Sequence, residues 1–391
     1  MQKIGLFGGT FNPIHKGHLH LAKAFLQALS LDKLIFIPTY MPPHKDAHDL
    51  ASSVDRYNMC RLAVSDIENA EVSDFEIRRE TKSYTVHTLQ HFKKLYPDAE
   101  FFFLMGSDMF ITLERWYEAE TLFTLATMCA GARNQGEYAT LSQYAQRLAH
   151  KGVKTKIIDI EPFEASSTEI RARIHKQGSA NHEALPQPVR RYIDTVHPYG
   201  GEREEIRRFK SEIAARLSEN RYEHSICVAA EAVTLSILFS ADENKAYVAG
   251  LVHDITKEMD LPAQLQMLKK SGIILDDVEQ RTTKIWHAIS GAVLARSLGI
   301  NDEEIINAIR YHTTAREGIT LLEQVVYLAD CISFDRTFAA ADLIRERVSS
   351  GLDSAMLCAL SLSIQGLAKK QSPIHIDTVK AYNSFLPAAQ K

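Results

Sequence analysis

The stretch from Ile4 to His20, IGLFGGTFNPIHKGHLH, constrains this chain more than any other. Ile4 to Phe7 is a short apolar run that reads as a buried first strand. Gly8-Gly9 has no Cβ, so the backbone there can turn sharply and come close to a ligand. Asn12-Pro13 signals a turn, and Leu19, Ala22, Phe25, Leu26 and Leu29 then follow helical spacing. The result is strand, glycine turn and helix, with His15 and His18 at the helix start. A helix N-terminus offers unpaired N–H groups and partial positive charge, which suits a phosphate. Two imidazoles three residues apart face the same way on one turn. They can donate to phosphate oxygens on which charge grows during transfer. A histidine pair on a βα turn is often only a surface pair; the preceding strand and glycines single this one out.

Further along, Leu34 to Ile37 reads as a second buried strand, followed by a loop that carries Lys45. Lys45 lies where ligands sit in open α/β sheets, beyond a strand's carboxyl end. Arg56 to Ile67 reads as an amphipathic helix and Val72 to Ile77 as an alternating edge strand. Thr85 is the expected N-cap of a helix that buries Val86, Leu89, Phe92 and Leu95. Glu100 to Met105 is the most hydrophobic strand. Asp108, just past it, suits a ribose hydroxyl or a magnesium-bound water. Trp116-Tyr117 follows at helical spacing, Met128 to Ala132 is a strand closing on Arg133, and Lys156 to Ile160 is the last strand. Ser166 with Glu169 then forms an expected capping box. Free N–H groups at that helix start, the hydroxyls of Ser167 and Thr168, and Arg171 one turn later can together grip a polyphosphate.

At 391 residues the chain exceeds what one core organises. The Pro/Gly break His197-Pro198-Tyr199-Gly200-Gly201-Glu202 marks the expected seam, giving domains 1–200 and 201–391. Strand signals vanish after it, and the remainder reads as helices. A net charge of −4 gives no field that attracts nucleic acid. Five scattered cysteines without CxxC spacing suit a reduced, cytoplasmic protein. No run approaches the ~18 apolar residues of a membrane span, so no membrane partner is expected. The first strand leaves no room for a signal peptide. In the helical half His224, His253, Asp254, His287, His312 and Asp330 stand inside or at the ends of predicted helices. Asp254 sits in an apolar stretch, where an unpaired charge costs several kcal/mol. Four histidines and two aspartates on successive helices suggest a bundle whose interior holds metal.

Two resemblances sharpen this. GGTFNPIHKGHL, from Gly8 to Leu19, resembles the HxGH signature of nucleotidyltransferases, in the fuller form of the bacterial nicotinate-nucleotide adenylyltransferases. Ala165 to Arg171, ASSTEIR, is similar to that family's second signature, ISSTxIR, differing at Ala165. The family usually has proline after the arginine at 133, where this chain has Asn134. The resemblance implies an α/β Rossmann-like domain. It places ATP against Gly8, Gly9, Thr10, Phe11, His15, His18, Ser167, Thr168 and Arg171. It places nicotinate mononucleotide against Lys45, Thr85, Asp108, Trp116 and Arg133, with Trp116 stacked on the pyridine ring. His15, His18, Arg171 and a Mg2+ ion are the implied catalytic charges.

The second resemblance is to the HD-domain phosphohydrolases, and more closely to their YqeK-like group. It rests on HDITK, WHAISGA, IRYHTTAREG and VVYLADCI and covers most of 204–385. It implies an all-α HD-domain bundle that cleaves diadenosine tetraphosphate symmetrically into two ADP. His224, His253, Asp254 and Asp330 are the implied ligands of one metal. Asp254 bridges to a second, held by His287 and His312, and Lys257 is a candidate phosphate contact. Imidazole and carboxylate donors favour iron or manganese over a thiolate zinc site. Two departures stand out. Ser333-Phe334-Asp335 replaces the acid-proline pair usual after the last ligand, and Ala315 replaces the glycine usual in the HTTG turn.

The expected protein is therefore a bifunctional enzyme taking ATP, nicotinate mononucleotide and diadenosine tetraphosphate. The residues leave three alternatives open: another acceptor, nicotinamide mononucleotide or pantetheine phosphate; another nucleotide for the HD domain; or an HD domain that only senses nucleotides. A homo-oligomer is compatible with everything above.

Overall fold

The structure is a computed structural model that describes residues 1–41, 49–132, 134–178 and 180–386. Lys45 and Arg133 lie outside the described residues. The chain divides into two compact units, Met1–Gly201 and Glu202–Lys391.

The first unit is built on six strands: β1 (Lys3–Gly9), β2 (Lys33–Pro38), β3 (Ala70–Val72), β4 (Glu100–Gly106), β5 (Thr127–Ala132) and β6 (Thr155–Asp159). Every pairing is parallel, in the order β3-β2-β1-β4-β5-β6. This is the Rossmann-like order expected, and the strand order reverses direction between β1 and β4, where such sheets take ligands. β1, β2, β4 and β5 are near-continuous apolar runs because helices cover both faces of a parallel sheet.

Several local expectations fail, each for a physical reason. The predicted strand Val72–Ile77 is only Ala70–Val72, because Phe75–Arg78 turns into a short helix whose Glu76 and Ile77 are buried. Thr85 is the first residue of its helix, Thr85–Leu95, and Tyr84 precedes it without a side-chain cap. Leu95 is 57% exposed rather than buried, at the last turn. Trp116 ends a 3-10 turn, Leu113–Arg115, in extended backbone, so its helical spacing was accidental. Ser166 precedes the helix Ser167–Gln177 without a cap bond, and no capping box forms. The helix read as Arg56 to Ile67 is Ser53–Val64, and its inner face carries Arg56 and Asn58 beside Met59, Cys60, Leu62, Ala63 and Val64.

The second unit is helical, with no strand among its described residues. Its central element is the helix Glu219–Phe239, twelve of whose residues are buried. By length and composition this helix could cross a membrane, contrary to the sequence expectation, but 67% of its apolar window is buried inside the unit. At Gly250 an added Cβ would lie 2.8 Å from the Ala229 Cα, so glycine lets the helix Glu243–Val252 rest directly on the central one. Asp242, Asp302 and Thr320 cap the helices Glu243–Val252, Glu303–Tyr311 and Leu321–Ile332 through their side chains. The first two of these helices end on His253 and His312. Ala315 takes a left-handed φ of 56°, the conformation for which glycine is favoured.

Candidate functional site

In the first unit β1 leads into the helix Lys16–Leu29, and β4 leads into Ser107-Asp108. His15, Gly17, His18, Gly106, Ser107 and Asp108 line one cleft at these adjacent strand ends, with Glu161, Phe163 and Ala165 closing a side. His15 is the N-cap residue of the helix and His18 stands three residues in, its side chain meeting the His15 backbone. Their rings lie 3.8 Å apart, centroid to centroid. The His15 N–H donates to His18 Nδ1 at 3.2 Å, so neutral His18 carries its proton on Nε2 and can donate from there. Burial, and then the His182 imidazole, lower the His15 pKa to about 4. His15 is therefore neutral at pH 7 and acts as a dipole rather than a cation. Its buried Nδ1 has no hydrogen-bond partner. An added Cβ on Gly17 would come within 3.1 Å of the His15 ring and 3.4 Å of the Ala165 Cβ, which explains glycine between the histidines.

The turn after β1 is tied down on several sides. Phe11 has a left-handed φ of 49°, and its ring packs edge-on to Phe7 and 5.1 Å from His18. Arg56, fully buried, donates to the carbonyls of Thr10, Tyr40 and Ala51 at 2.9, 2.8 and 3.1 Å. Arg171 donates to the Asn12 carbonyl at 2.8 Å and pairs with Asp49 at 2.6 Å. Ser167 Oγ donates to the Pro13 carbonyl at 3.0 Å. The ASSTEIR segment thus meets the first motif directly, and Arg171 serves the turn. Arg56 was missed by sequence reasoning, because a buried arginine on a helix carries no periodic signal.

The acceptor-site candidates are less gathered. Asp108 lines the cleft, whereas Thr85 and Trp116 do not. Trp116 Nε1 donates to Thr112 Oγ1 at 3.1 Å and its ring meets Phe103 edge-on, so it packs at the margin of the core. Tyr117 is exposed and stacks 4.6 Å from Tyr84, next to Thr85.

In the second unit the six predicted ligands converge from five helices or their ends. His253 Nδ1 and His312 Nδ1 each donate to a backbone carbonyl one turn back, Gly250 and Ile309, at 2.7 Å. Those bonds fix the tautomer and turn each Nε2 lone pair inward. Buried His253 Nε2 has no hydrogen-bond partner, 3.7 Å from Asp254 and 4.0 Å from Asp330. His287 and His312 Nε2 lie 3.1 and 3.5 Å from the same oxygen of Asp254. His224 Nε2 lies 3.0 Å from Asp330, and its Nδ1 is 2.7 Å from Asp335. Two ligand groups within metal-binding reach result, His224-His253-Asp330 and His253-Asp254-His312. Burial opposes charge on Asp254, yet the surrounding imidazoles of His253, His287 and His312 hold its pKa well below the usual carboxylate range. Burial likewise opposes charge on His224, but its bonds to Asp330 and Asp335 outweigh this and raise its pKa to about 9. An unpaired inward lone pair beside buried Asp254 and half-buried Asp330 is what a divalent cation requires, so the donor set fits a metal.

Three cations rim this centre. Lys257 Nζ is 3.3 Å from Asp254 and 3.0 Å from His287 Nε2, and Arg221 is 3.3 Å from the other Asp254 oxygen. Arg336 pairs with Asp330 and approaches His224 Nε2 at 3.2 Å. Only Lys257 was legible in the sequence. A third group, Asp276, Glu279 and His375, is not equivalent. His375 Nδ1 accepts the Asp377 N–H at 3.1 Å, so its proton sits on Nε2, 3.2 Å from Asp276. Arg310 already pairs with Glu279.

A cytidylyltransferase-like family model matches residues 6–173, and an HD domain model matches 221–335. A Mycoplasma genitalium protein named "Probable nicotinate-nucleotide adenylyltransferase/Ap4A hydrolase" is 30% identical over 93% of this chain and 94% of its own length. A Clostridium tetani protein named "Probable nicotinate-nucleotide adenylyltransferase" is 36% identical over 51% of this chain and 98% of its own. A crystal structure of a "predicted HD superfamily hydrolase involved in NAD metabolism" from Clostridium acetobutylicum aligns with a TM-score of 0.45. It is 32% identical over 46% of this chain and 96% of that one. With both domain types present in the same order, and similarity along nearly the whole length, the chain belongs to the family of two-domain nicotinate-nucleotide adenylyltransferase/Ap4A hydrolases.

Proposed function

We propose that this chain carries two activities, one per unit. The first unit transfers the adenylyl group of ATP to nicotinate mononucleotide, giving deamido-NAD and pyrophosphate. The second hydrolyses diadenosine tetraphosphate, with ADP as its product.

In the first unit the mononucleotide phosphate attacks the α-phosphorus of ATP in line and pyrophosphate leaves, so no covalent enzyme intermediate is needed. The chain's task is to hold both phosphates and offset charge that builds on the oxygens in flight. The carrying observation is the close, tilted His15–His18 ring pair at the strand-order reversal, with the N-termini of two helices beside it. His18 donates from Nε2, and His15, neutral and buried, holds His18 by its backbone N–H. The helix start at Ser167 and Thr168 and the Arg171 guanidinium face the triphosphate of ATP. A Mg2+ ion, when bound, would supply further charge neutralisation. Asp108 binds the acceptor nucleotide, with Thr85, Trp116, Lys45 and Arg133 as further contacts.

In the second unit the carrying observation is the buried, unpartnered His253 Nε2 between Asp254 and Asp330. His224, His253, Asp254 and Asp330 would hold one cation, and His287 and His312, with Asp254 beside them, would hold another. Iron or manganese suits these donors. Two such cations, when bound, supply Lewis acidity and a nucleophilic water at neutral pH. Lys257, and the backbone carbonyls that fix His253 and His312, orient the phosphate chain and the ligands. Water attack at a phosphate next to the central bridging oxygen divides the substrate evenly, so both products are ADP.

The test is product identification. ATP, nicotinate mononucleotide and Mg2+ should give deamido-NAD with pyrophosphate, and nicotinate mononucleotide should be preferred to its amide by kcat/KM. Diadenosine tetraphosphate with Mn2+ or Fe2+ should give ADP alone. AMP with ATP would place attack at an outer phosphate and contradict the second assignment. Equal use of the amide would contradict the first. These reactions suit a cytoplasmic protein.

A further inference from the structure

The departure at Ser333-Phe334-Asp335 removes the acid that the resemblance leads one to expect directly after the last ligand. The structure supplies another. Asp335 Oδ2 lies 2.7 Å from His224 Nδ1, and Ser333 Oγ, fully buried, donates to Asp335 Oδ1 at 2.7 Å. The helix Leu321–Ile332 ends at Ser333, whose N–H still bonds the Ala329 carbonyl. The chain therefore turns back over Asp330 and lays Asp335 against the outer nitrogen of His224.

His224 differs here from its neighbours. His253 and His312 use backbone carbonyls to fix their outer nitrogens. His224 sits inside a long helix, Glu219–Phe239, and its outer nitrogen meets a carboxylate instead. A carboxylate on the far nitrogen of a metal-bound imidazole fixes its tautomer and orientation and strengthens it as a donor. Arg345 donates to the carbonyls of Ile332, Ser333 and Arg336, which holds this turn in place.

We propose that Asp335, steadied by Ser333, is the positioning residue for His224. It touches neither substrate nor metal and acts through the imidazole. This rests on the reading of the second unit as a metal centre.

The test compares full-length wild type with Asp335→Ala and Asp335→Asn, first by metal binding in competition with a chelator. Thermal unfolding is recorded with and without Mn2+. Loss of an outer-sphere partner of this kind weakens metal binding on the order of 10- to 100-fold. Asp335→Ala should show that loss at the site containing His224, with little change in the metal-free melting temperature. Asp335→Asn keeps the shape without the charge and should fall between. Asp335→Glu should recover part of the affinity. A variant that melts lower without metal but binds Mn2+ as tightly as wild type would overturn the proposal, since that is a purely structural effect. Should Asp335→Ala fail to fold, wild-type affinity in Asp335→Asn would overturn it equally. If wild type itself binds no metal, both this inference and the metal-centre reading fall.

Discussion

As proposed, the two sites would meet the same problem, charge on phosphate oxygens, with opposite materials. In the first unit the groups gathered are largely main chain and imidazole: two helix starts, a glycine turn and His18 at adjacent strand ends. That material is contiguous in sequence and held from behind, by Arg56 on the Thr10 carbonyl and Arg171 on the Asn12 carbonyl. In the second unit the groups gathered are side chains, brought from five helices or their ends, with His224, His253 and His312 fixed through their outer nitrogens. A main-chain site depends on the conformation of one turn. A side-chain site depends on helix packing and on a bound cation. The two should therefore fail in different ways.

The sharpest break is Asp254→Asn. An amide carries no charge to offset two cations and offers one good acceptor oxygen in place of two. Metal content should fall from two ions to fewer than one, and hydrolysis of diadenosine tetraphosphate should be lost. Retention of both metals, measured by elemental analysis, would remove Asp254 from between them.

Next in size is His18→Ala, which removes one donor aimed at developing charge. Losing such a donor lowers kcat on the order of 10²- to 10³-fold. The KM for ATP should move far less, because the interaction acts mainly in the transition state. A rise in KM at constant kcat would make His18 a ground-state binding residue instead.

Arg56→Ala probes the scaffold rather than the chemistry. It leaves three carbonyls, of Thr10, Tyr40 and Ala51, without their donor. The expected cost is about 3 kcal/mol, since each bond to a charged group contributes roughly 1.5–3 kcal/mol and water regains part of the contacts. Denaturant unfolding should show the loss in the first unit only. An equal loss in the second would contradict the separation of scaffolds.

An effect of similar size, spread over pH, is a stability slope. His15 has a folded pKa of about 4, below the unfolded value near 6.5. Below pH 6.5 the unfolded chain takes up a proton that the folded chain refuses. Stability is therefore complete above pH 6.5 and declines as pH falls toward 4, by at most about 3 kcal/mol from this group. His15→Gln should flatten this part of the slope. An unchanged slope would assign it to other groups.

What was legible in the sequence divides along the same line. The strand–turn–helix and its histidines were readable because they are consecutive and their periods are clean. The six metal-ligand candidates were readable because a charged Asp254 in an apolar run needs a partner. Arg56 was not, because its reason lies in carbonyls 46, 16 and 5 residues away. The cap expected at Ser166 failed because Ser167 Oγ reaches across to Pro13 and the turn it belongs to is set by tertiary contact. The strand read through Ile77 failed because alternation over six residues cannot distinguish a strand from a strand followed by one buried helical turn. Asp335 was visible only as a departure, and its use became clear once His224 was beside it.

The central claim is that one chain holds two chemistries at two separate sites. Its most direct test assays full-length wild type, His18→Ala and Asp254→Asn for both reactions under identical conditions. The account predicts a crossed result: His18→Ala loses adenylyl transfer and keeps hydrolysis, while Asp254→Asn loses hydrolysis and keeps transfer. A folded variant that loses both reactions, or neither, would contradict it.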